Sequence, residues 1–225
     1  MKDNVFKTGL VMLLSTFLCL GFVSKVSAWN YGVGTNAGTL GIGINFNKQI
    51  TSKFSVRLTY DYFSYDYDSK EDQIDYDFDL TLNNGAGLID WYPFAGHFRI
   101  STGLFINGND IDADAKGQGT YEIGDKVYTA SEIGKLKGEL DFNSIAPYLG
   151  IGWTSSHQKK RGWFASFDIG VVFQGSPDVD LKVNGPIASD PEFQANLRKE
   201  ENNLEDEVDE YKYYPVVMLG ISYVF

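Results

Sequence analysis

With 30 acidic against 19 basic side chains, net −11, this 225-residue chain repels nucleic acid and, unless divalent cations bridge, anionic lipid headgroups. Its length suits one domain, and beyond the N-terminal segment no run of 18 or more apolar residues exists, so no later helix spans a bilayer. The single cysteine, Cys19, lies in that N-terminal segment, which excludes a disulfide or a thiol nucleophile from the remainder.

Residues 1–28 read as an export signal. Lys2 and Lys7 form the positive region, diluted by Asp3, and TGLVMLLSTFLCLGFV at 8–23 is the apolar run. Val26-Ser27-Ala28 puts small residues at the two positions a signal peptidase reads, so cleavage after Ala28 is expected, with Trp29 the first mature residue. Leu18 is too large for a lipoprotein signal at Cys19. Losing three of the 19 basic residues and one of the 30 acidic leaves 16 and 29 in the domain 29–225, net −13.

Period-two alternation and turn signals then mark eight strands, near 29–35, 38–47, 53–67, 73–91, 96–113, 138–154, 161–183 and 212–225. In the fourth, Ile74, Tyr76, Phe78, Leu80 and Leu82 share the face expected to meet lipid. Asp75, Asp77 and Asp79 share the other, inward or loop-proximal one. In the seventh, Trp163, Ala165, Phe167, Ile169, Val171 and Phe173 oppose Phe164, Ser166, Asp168, Gly170 and Gln174. In the last, Val217, Leu219, Ile221, Tyr223 and Phe225 oppose Val216, Met218, Gly220, Ser222 and Val224. Connections 48–52, 92–95 and 155–160 are short; 68–72, 114–137 and 184–211 are longer. The first hairpin turns at Asn36-Ala37. A closed barrel is the spanning structure such strands can build, because they satisfy each other's backbone groups. The expected fold is all-β: an eight-stranded antiparallel transmembrane β-barrel with two long outer loops, one containing a helix.

The aromatics favour a membrane barrel over a soluble sandwich. Trp163 and Phe173 are ten residues apart on one face. Ten residues rise about 33 Å, which a tilt of about 40° reduces to roughly 25 Å, the height of the apolar band between two aromatic girdles. One girdle takes Phe46, Phe54, Trp91, Phe98, Trp153, Trp163 and Phe225; the other takes Tyr60, Tyr62, Tyr76, Phe78, Phe142, Phe173 and Tyr213. The odd spacing of Phe142 and Trp153 implies a bulge near Asn143–Pro147.

The terminal GISYVF, the Trp91–Phe94 turn and PYLGIGW at 147–153 give the chain its likeness to a known class. It resembles the eight-stranded outer-membrane barrels of the outer membrane protein A, X and W type. The resemblance implies residence in a bacterial outer membrane and recognition of Tyr223 and Phe225 by the barrel-assembly machinery. It also implies contact with outer-membrane lipids and lipopolysaccharide. A monomer is expected, without nucleic acid or cofactor.

Inside such a barrel, Arg57, Arg99, Asp61, Asp168 and Gln174 point inward, and inward glycines thin the wall. The bland reading is a charge network filling a barrel too small to conduct; the alternative is a selectivity filter. His97 and His157 fall on the short turns, away from the outer end where lipid-modifying barrel enzymes place a catalytic histidine, so no catalytic set is assigned. Asp110–Asp114 resembles the start of a calcium loop. Ala115 and Tyr121 occupy the positions that need Gly and Glu, so no metal is assigned. In 184–211, Asp190 caps a helix with Pro191 at its first position, and Phe193, Leu197, Leu204, Val208 and Tyr211 form its apolar stripe on the barrel rim. TYEIGDKVYTA at 120–130 reads as a hairpin around Gly124-Asp125.

These features point to a non-enzymatic envelope or surface-interaction role. A narrow passage for small or hydrophobic solutes is the alternative, and an outer-leaflet lipid-modifying enzyme is further off. Sequencing the mature protein from outer-membrane fractions is expected to begin at Trp29; a Met1 terminus there would contradict the export reading.

Overall fold

The computed structural model describes residues 31–71, 74–155 and 161–225; the signal segment, Trp29 and His157 lie outside them. The chain opens with β1 (Tyr31–Gly38), β2 (Gly41–Gln49), β3 (Phe54–Glu71), β4 (Ile74–Trp91) and β5 (Phe98–Asn107). Then come β6 (Asp110–Gly117), β7 (Thr120–Ile123), β8 (Lys126–Thr129) and a single helical turn, α1 (Ala130–Ile133). β9 (Leu136–Asp141), β10 (Ile145–Thr154), β11 (Gly162–Phe173) and β12 (Asp178–Val183) precede α2 (Pro191–Val208) and β13 (Tyr213–Val224).

Eight strands pair antiparallel in an unbroken cycle, β1-β2-β3-β4-β5-β10-β11-β13, closed from β13 back to β1 and from β4 to β5. A sheet closed this way has no edge within the cycle. The connections at its lower end are all short; at its upper end the β1–β2 and β3–β4 links are two residues each and the β5–β10 and β11–β13 links are long. β6, β9 and β12 extend the sheet from the upper half of β4, and β7–β8 is a separate hairpin around Gly124-Asp125.

The main sheet therefore holds eleven strands where alternation marks eight. Segments expected as single strands at 96–113, 138–154 and 161–183 each leave the ladder at the upper rim, at Gly108-Asn109, Phe142–Ser144 and Gln174–Pro177. β4 takes both its partners in one register, Asn84↔Asn107 with β5 and Thr81↔Asp110 with β6. The pairs Asp141↔Asp178 and Tyr148↔Val172 are seven residues apart on one side and six on the other. The extra residue is a bulge at 142–144, the phase change that the Phe142–Trp153 spacing implies. The first hairpin turns at Thr39-Leu40, not Asn36-Ala37, with Gly38 opposite Gly41 at φ 102°, a conformation that a side chain resists. Both long loops contain helix, the first only the turn α1.

Outward positions on the ring are apolar and exposed, Ile42 and Ile106 to 71% and 70%. An apolar belt around a whole ring exceeds any patch a soluble monomer tolerates and suits hydrocarbon. Aromatic rings gather at its lower border: Tyr31 with Phe46, Phe98 with Trp153, Trp153 with Phe167, Trp163 with Tyr223, and Tyr223 with Phe225, at 5.2 to 6.3 Å. Phe54 and Trp91 pair across strands at the same level. Tyr60, Tyr62, Phe173 and Tyr213 mark the upper border. Phe142, expected there, sits half-buried in the bulge.

Above that border the two faces exchange polarity while the register continues. Asp77 and Asp79, in line with Asp112 and Asp114, occupy the face that is apolar and exposed lower down. Tyr76, Phe78 and Leu80 continue the lumen face. Assigning them to a lipid-facing girdle is thus corrected. On the inner side, Tyr76, Ala115, Leu136, Leu181 and Val183 meet Ile123, Tyr128, Ile133, Phe193 and Leu197 in a second core. Asp190 accepts from the N–H groups of Glu192 (2.9 Å) and Phe193 (3.0 Å), starting α2 at the expected place. Phe193 packs edge-on to Tyr128 at 5.0 Å, so the helix seats on the β7–β8 hairpin and β12, not on the ring's rim.

On the outer face, like charges stand directly opposite, Asp79↔Asp112 and Asp112↔Glu139, an unfavourable pairing. Lys137 relieves it, with Nζ 3.0 Å from Asp112 and 2.6 Å from Glu139. Hydrogen bonds from Lys137 and Lys182 hold the Glu139 carboxyl down at about 2. That contribution is present above the ordinary carboxylate range and is lost as pH falls toward about 2.

Phe193→Ala is expected to cost about 3–5 kcal/mol locally. Hydrogen exchange should quicken in α2 and β7–β8 and stay slow in β13; equal loss in both would show that the two cores melt as one.

Candidate functional site

Reading the inward residues up a strand gives the same order three times. On β4 they run Asp90, Leu88, Ala86, Asn84; on β5, Arg99 and Ser101, Gly103, Phe105, Asn107; on β11, Asp168, Gly170, Val172, Gln174. The lumen is therefore layered as charge, apolar, amide. The alternation that turns Trp91, Leu104 and Ile169 outward sets these residues inward.

The charged layer is an ion cluster. Arg57 Nη1 donates to Asp168 Oδ2 (2.9 Å) and Arg57 Nη2 to Asp90 Oδ1 (3.1 Å). Arg99 Nη2 donates to both Asp168 oxygens at 2.8 Å, and Ser101 Oγ to Asp90 Oδ1 at 2.5 Å. Two cations meet two anions, all buried, which limits the desolvation penalty that an unmatched charge would carry. Arg57 Nε has no hydrogen-bond partner among the described residues.

Arg99 and Asp168 belong to strands separated by β10, and between them lies Gly152. A Cβ there would stand 2.6 Å from Asp168 Oδ1 and 2.9 Å from Arg99 Nε, so the bridge needs glycine. The same device recurs across β2. Gly43 separates Asn36 from Asp61, whose carboxylate accepts from the Asn36 amide, and a Cβ on Gly43 would strike that carboxylate. Asn36 in turn accepts from Asn45 (3.2 Å), and Asn45 from Asn47 (2.6 Å) and Ser222 (2.9 Å). This amide chain lines the opposite wall.

Of the four residues expected as a charge network, the structure joins Arg57, Arg99 and Asp168. Asp61 lies apart, held by the Asn36 amide and the Thr59 hydroxyl, and Asp90 takes the place beside Arg57. The outward Trp91 marks Asp90 as inward, so alternation carried that signal.

Above the cluster Leu40, Leu88, Phe105, Tyr148, Val172, Val216 and Met218 close the lumen. The Tyr148 ring lies over the paired Gly150 and Gly170, where any Cβ would strike it. Beneath this apolar layer lies a cavity of about 130 Å³, roofed by Leu40, Phe105, Tyr148 and Met218, walled by Arg57, Arg99 and Asp168 on one side and by Asn36, Asn45 and Asp61 on the other, and reaching the lower rim at Gly32, Gln49 and Val224. It has room for a few waters. At the upper rim Asn84, Asn107, Asn109 and Gln174 form an amide seam, which Gln174 ties to the Tyr211 carbonyl (2.9 Å). His97 sits at the lower end, Nδ1 2.7 Å from the Thr154 carbonyl. Tyr223 and Phe225 pack together at that end, and the Phe225 N–H donates to the Tyr31 carbonyl at 3.0 Å. Among the described residues no acidic, histidine or cysteine group forms a metal cluster.

No family model and no curated protein sequence matches the chain. Among the solved structures that resemble it are two from one organism. Acinetobacter baumannii CarO2 aligns with a TM-score of 0.57 at 20% identity, over 87% of this chain and 98% of that one. CarO from the same organism aligns at 0.52 and 21%, over 86% and 97%. Both are outer-membrane β-barrel proteins. The likeness is one of fold.

Asp168→Ala should be the most damaging single change in the lumen, because it leaves both arginines short of their shared partner. A loss of about 3–5 kcal/mol is expected, read from urea unfolding in detergent. Asp61→Asn, which keeps an amide partner for Asn36, should cost much less; equal losses would dissolve the distinction between the two walls.

Proposed function

We propose that the chain is an integral outer-membrane protein whose eight-strand ring spans the bilayer as a β-barrel, with the upper sheet outside the cell. Its role is non-enzymatic, in envelope structure or surface interaction. The observation that carries this reading is the filled lumen: the apolar layer from Leu40 to Met218 closes the path above the Arg57–Asp168 cluster. The apolar belt and its aromatic borders support contact with lipid and lipopolysaccharide. The terminal strand, with Tyr223 and Phe225, is the segment for the assembly machinery to read, and export follows from residues 1–28. A monomer suffices, because the ring closes on its own strands. Against a lipid-modifying enzyme, His97 lies at the lower end and hydrogen-bonds a backbone carbonyl.

A second reading, a narrow passage for small or hydrophobic solutes, draws on the cavity of about 130 Å³ below the apolar layer. It needs Phe105 and Tyr148, packed together at 5.4 Å, to swing aside.

Purified wild-type protein is expected to give no steady conductance in planar bilayers. Phe105→Ala combined with Tyr148→Ala should give openings while the protein remains folded. Steady wild-type conductance, altered by Asp61→Asn without unfolding, would establish the passage instead.

A further inference from the structure

The upper sheet, β3-β4-β6-β9-β12, has two edges that the chain treats differently. Along β12 the helix α2 covers the edge. The Leu181 N–H donates to Glu201 Oε1 at 3.0 Å and the Val179 N–H to Glu205 Oε1 at 3.3 Å. Alternate backbone donors thus meet carboxylates one helical turn apart, which bars another strand from adding there. At the other edge, β2 leaves β3 at the pair Ile42↔Tyr62. From Phe63 to Ser69, β3 pairs with β4 alone among the described residues. Side chains from Phe63 to Asp68 are exposed on both faces.

We propose that this bare edge, Phe63–Ser69, is a docking site for an extended basic polypeptide segment that adds to the sheet as a further strand. Strand addition supplies main-chain hydrogen bonds, and the two faces select the sequence. On one face stand Phe63, Tyr65 and Tyr67, with Phe78 exposed beside them on β4. On the other stand Asp66 and Asp68, directly opposite Asp79 and Asp77, with Asp112 and Asp114 on the next strand. Lys137 pairs with Asp112 and Glu139, Lys182 with Glu139 and Lys135 with Asp114, while Lys116, opposite Asp75, lines a shallow pocket with Asp68 and Asp77; these cations are fewer than the carboxylates of this face. Negative potential is left concentrated beside the open edge. The Asp79 carboxyl is held above its ordinary range by desolvation and by Asp66, Asp112, Asp114 and Asp68, which agrees with that.

Charge excludes a second copy of this chain as the occupant, because it would bring Asp66 and Asp68 against their own equivalents. A segment with lysine or arginine at alternate positions and apolar residues between them satisfies both faces at once. The proposal deepens the surface-interaction reading and rests on it only in requiring the upper sheet to face outward. The test uses purified protein and so judges the edge separately from its location.

The probe is an acetylated peptide of about nine residues, the length of an ordinary strand, alternating lysine with valine. Two controls accompany it: the same composition with all lysines at one end, and the alternating peptide N-methylated at alternate amides. With the full chain folded in detergent, the alternating peptide is expected to bind and to slow amide exchange across 63–69. The N-methylated peptide should fail, and the double variant Asp66→Lys, Asp68→Lys should weaken binding at least about tenfold while exchange in β13 stays unchanged. Binding by all three peptides alike, or binding without protection at 63–69, would reduce the effect to electrostatic adsorption and overturn the proposal. So would unchanged affinity after charge reversal. Preferential occupancy of Tyr65 and Tyr67 by lipopolysaccharide core oligosaccharide would assign the aromatic face to glycan instead.

Discussion

Closing the sheet on itself gives the eight ring strands backbone partners on both sides, and the remainder of the molecule adapts to that closure. The outer wall is free to be apolar because no polar backbone edge is left on it. The inner wall must fit whatever eight strands enclose, a space that side chains can fill. Bulk on one strand therefore demands its absence on the next. Gly152 lies beneath the Arg99–Asp168 bridge, Gly43 beneath the Asn36–Asp61 contact, and Gly150 with Gly170 beneath Tyr148. Each glycine sits on the strand over which a larger group reaches.

The order of the lumen layers follows from desolvation. An apolar stopper above the cluster shuts it off from the upper side, leaving Arg57, Arg99 and Asp168 to face only the small cavity below, which strengthens their attraction and raises the cost of losing any one of them. Equal numbers of each sign make such burial tolerable. Asp61 falls outside this balance, and its wall provides amide donors in place of a cation.

β4 passes through two sets of surroundings in 18 residues. Low down its outward face carries Trp91 and Ile89, and its inward face carries Asp90 and Leu88. Higher up the outward face becomes Asp79 and Asp77, and the inward face becomes Leu80, Phe78 and Tyr76. Nothing in the backbone changes between them. The solvent outside changes, and so does the interior, from a ring's lumen to a core closed by α2 and the β7–β8 hairpin.

Period-two alternation and turn residues were enough to mark the ring strands, the Gly124-Asp125 hairpin and the Asp190-Pro191 helix start, because these depend on neighbours a few positions away. They also set Arg57, Arg99 and Asp168 on inward faces. Alternation sorts residues into two faces without saying what each face meets, so Tyr76 and Phe78, expected to meet lipid, stand on the lumen side, and of the two places open to the aspartates of 75–79 the structure takes the loop-proximal one. The rim breaks at 108–109, 142–144 and 174–177 leave the alternation nearly intact, and each pair of strands therefore reads as one. Which carboxylate answers which arginine was decided by register. Asp90 stands beside Arg57 one strand away, Asp168 reaches Arg99 over Gly152, and Asn36 meets Asp61 over Gly43. Those contacts join residues 25 to 69 positions apart and need their strands paired in register; the bond from Arg57 to Asp168, 111 positions apart, spans the lumen and exists only once the ring has closed.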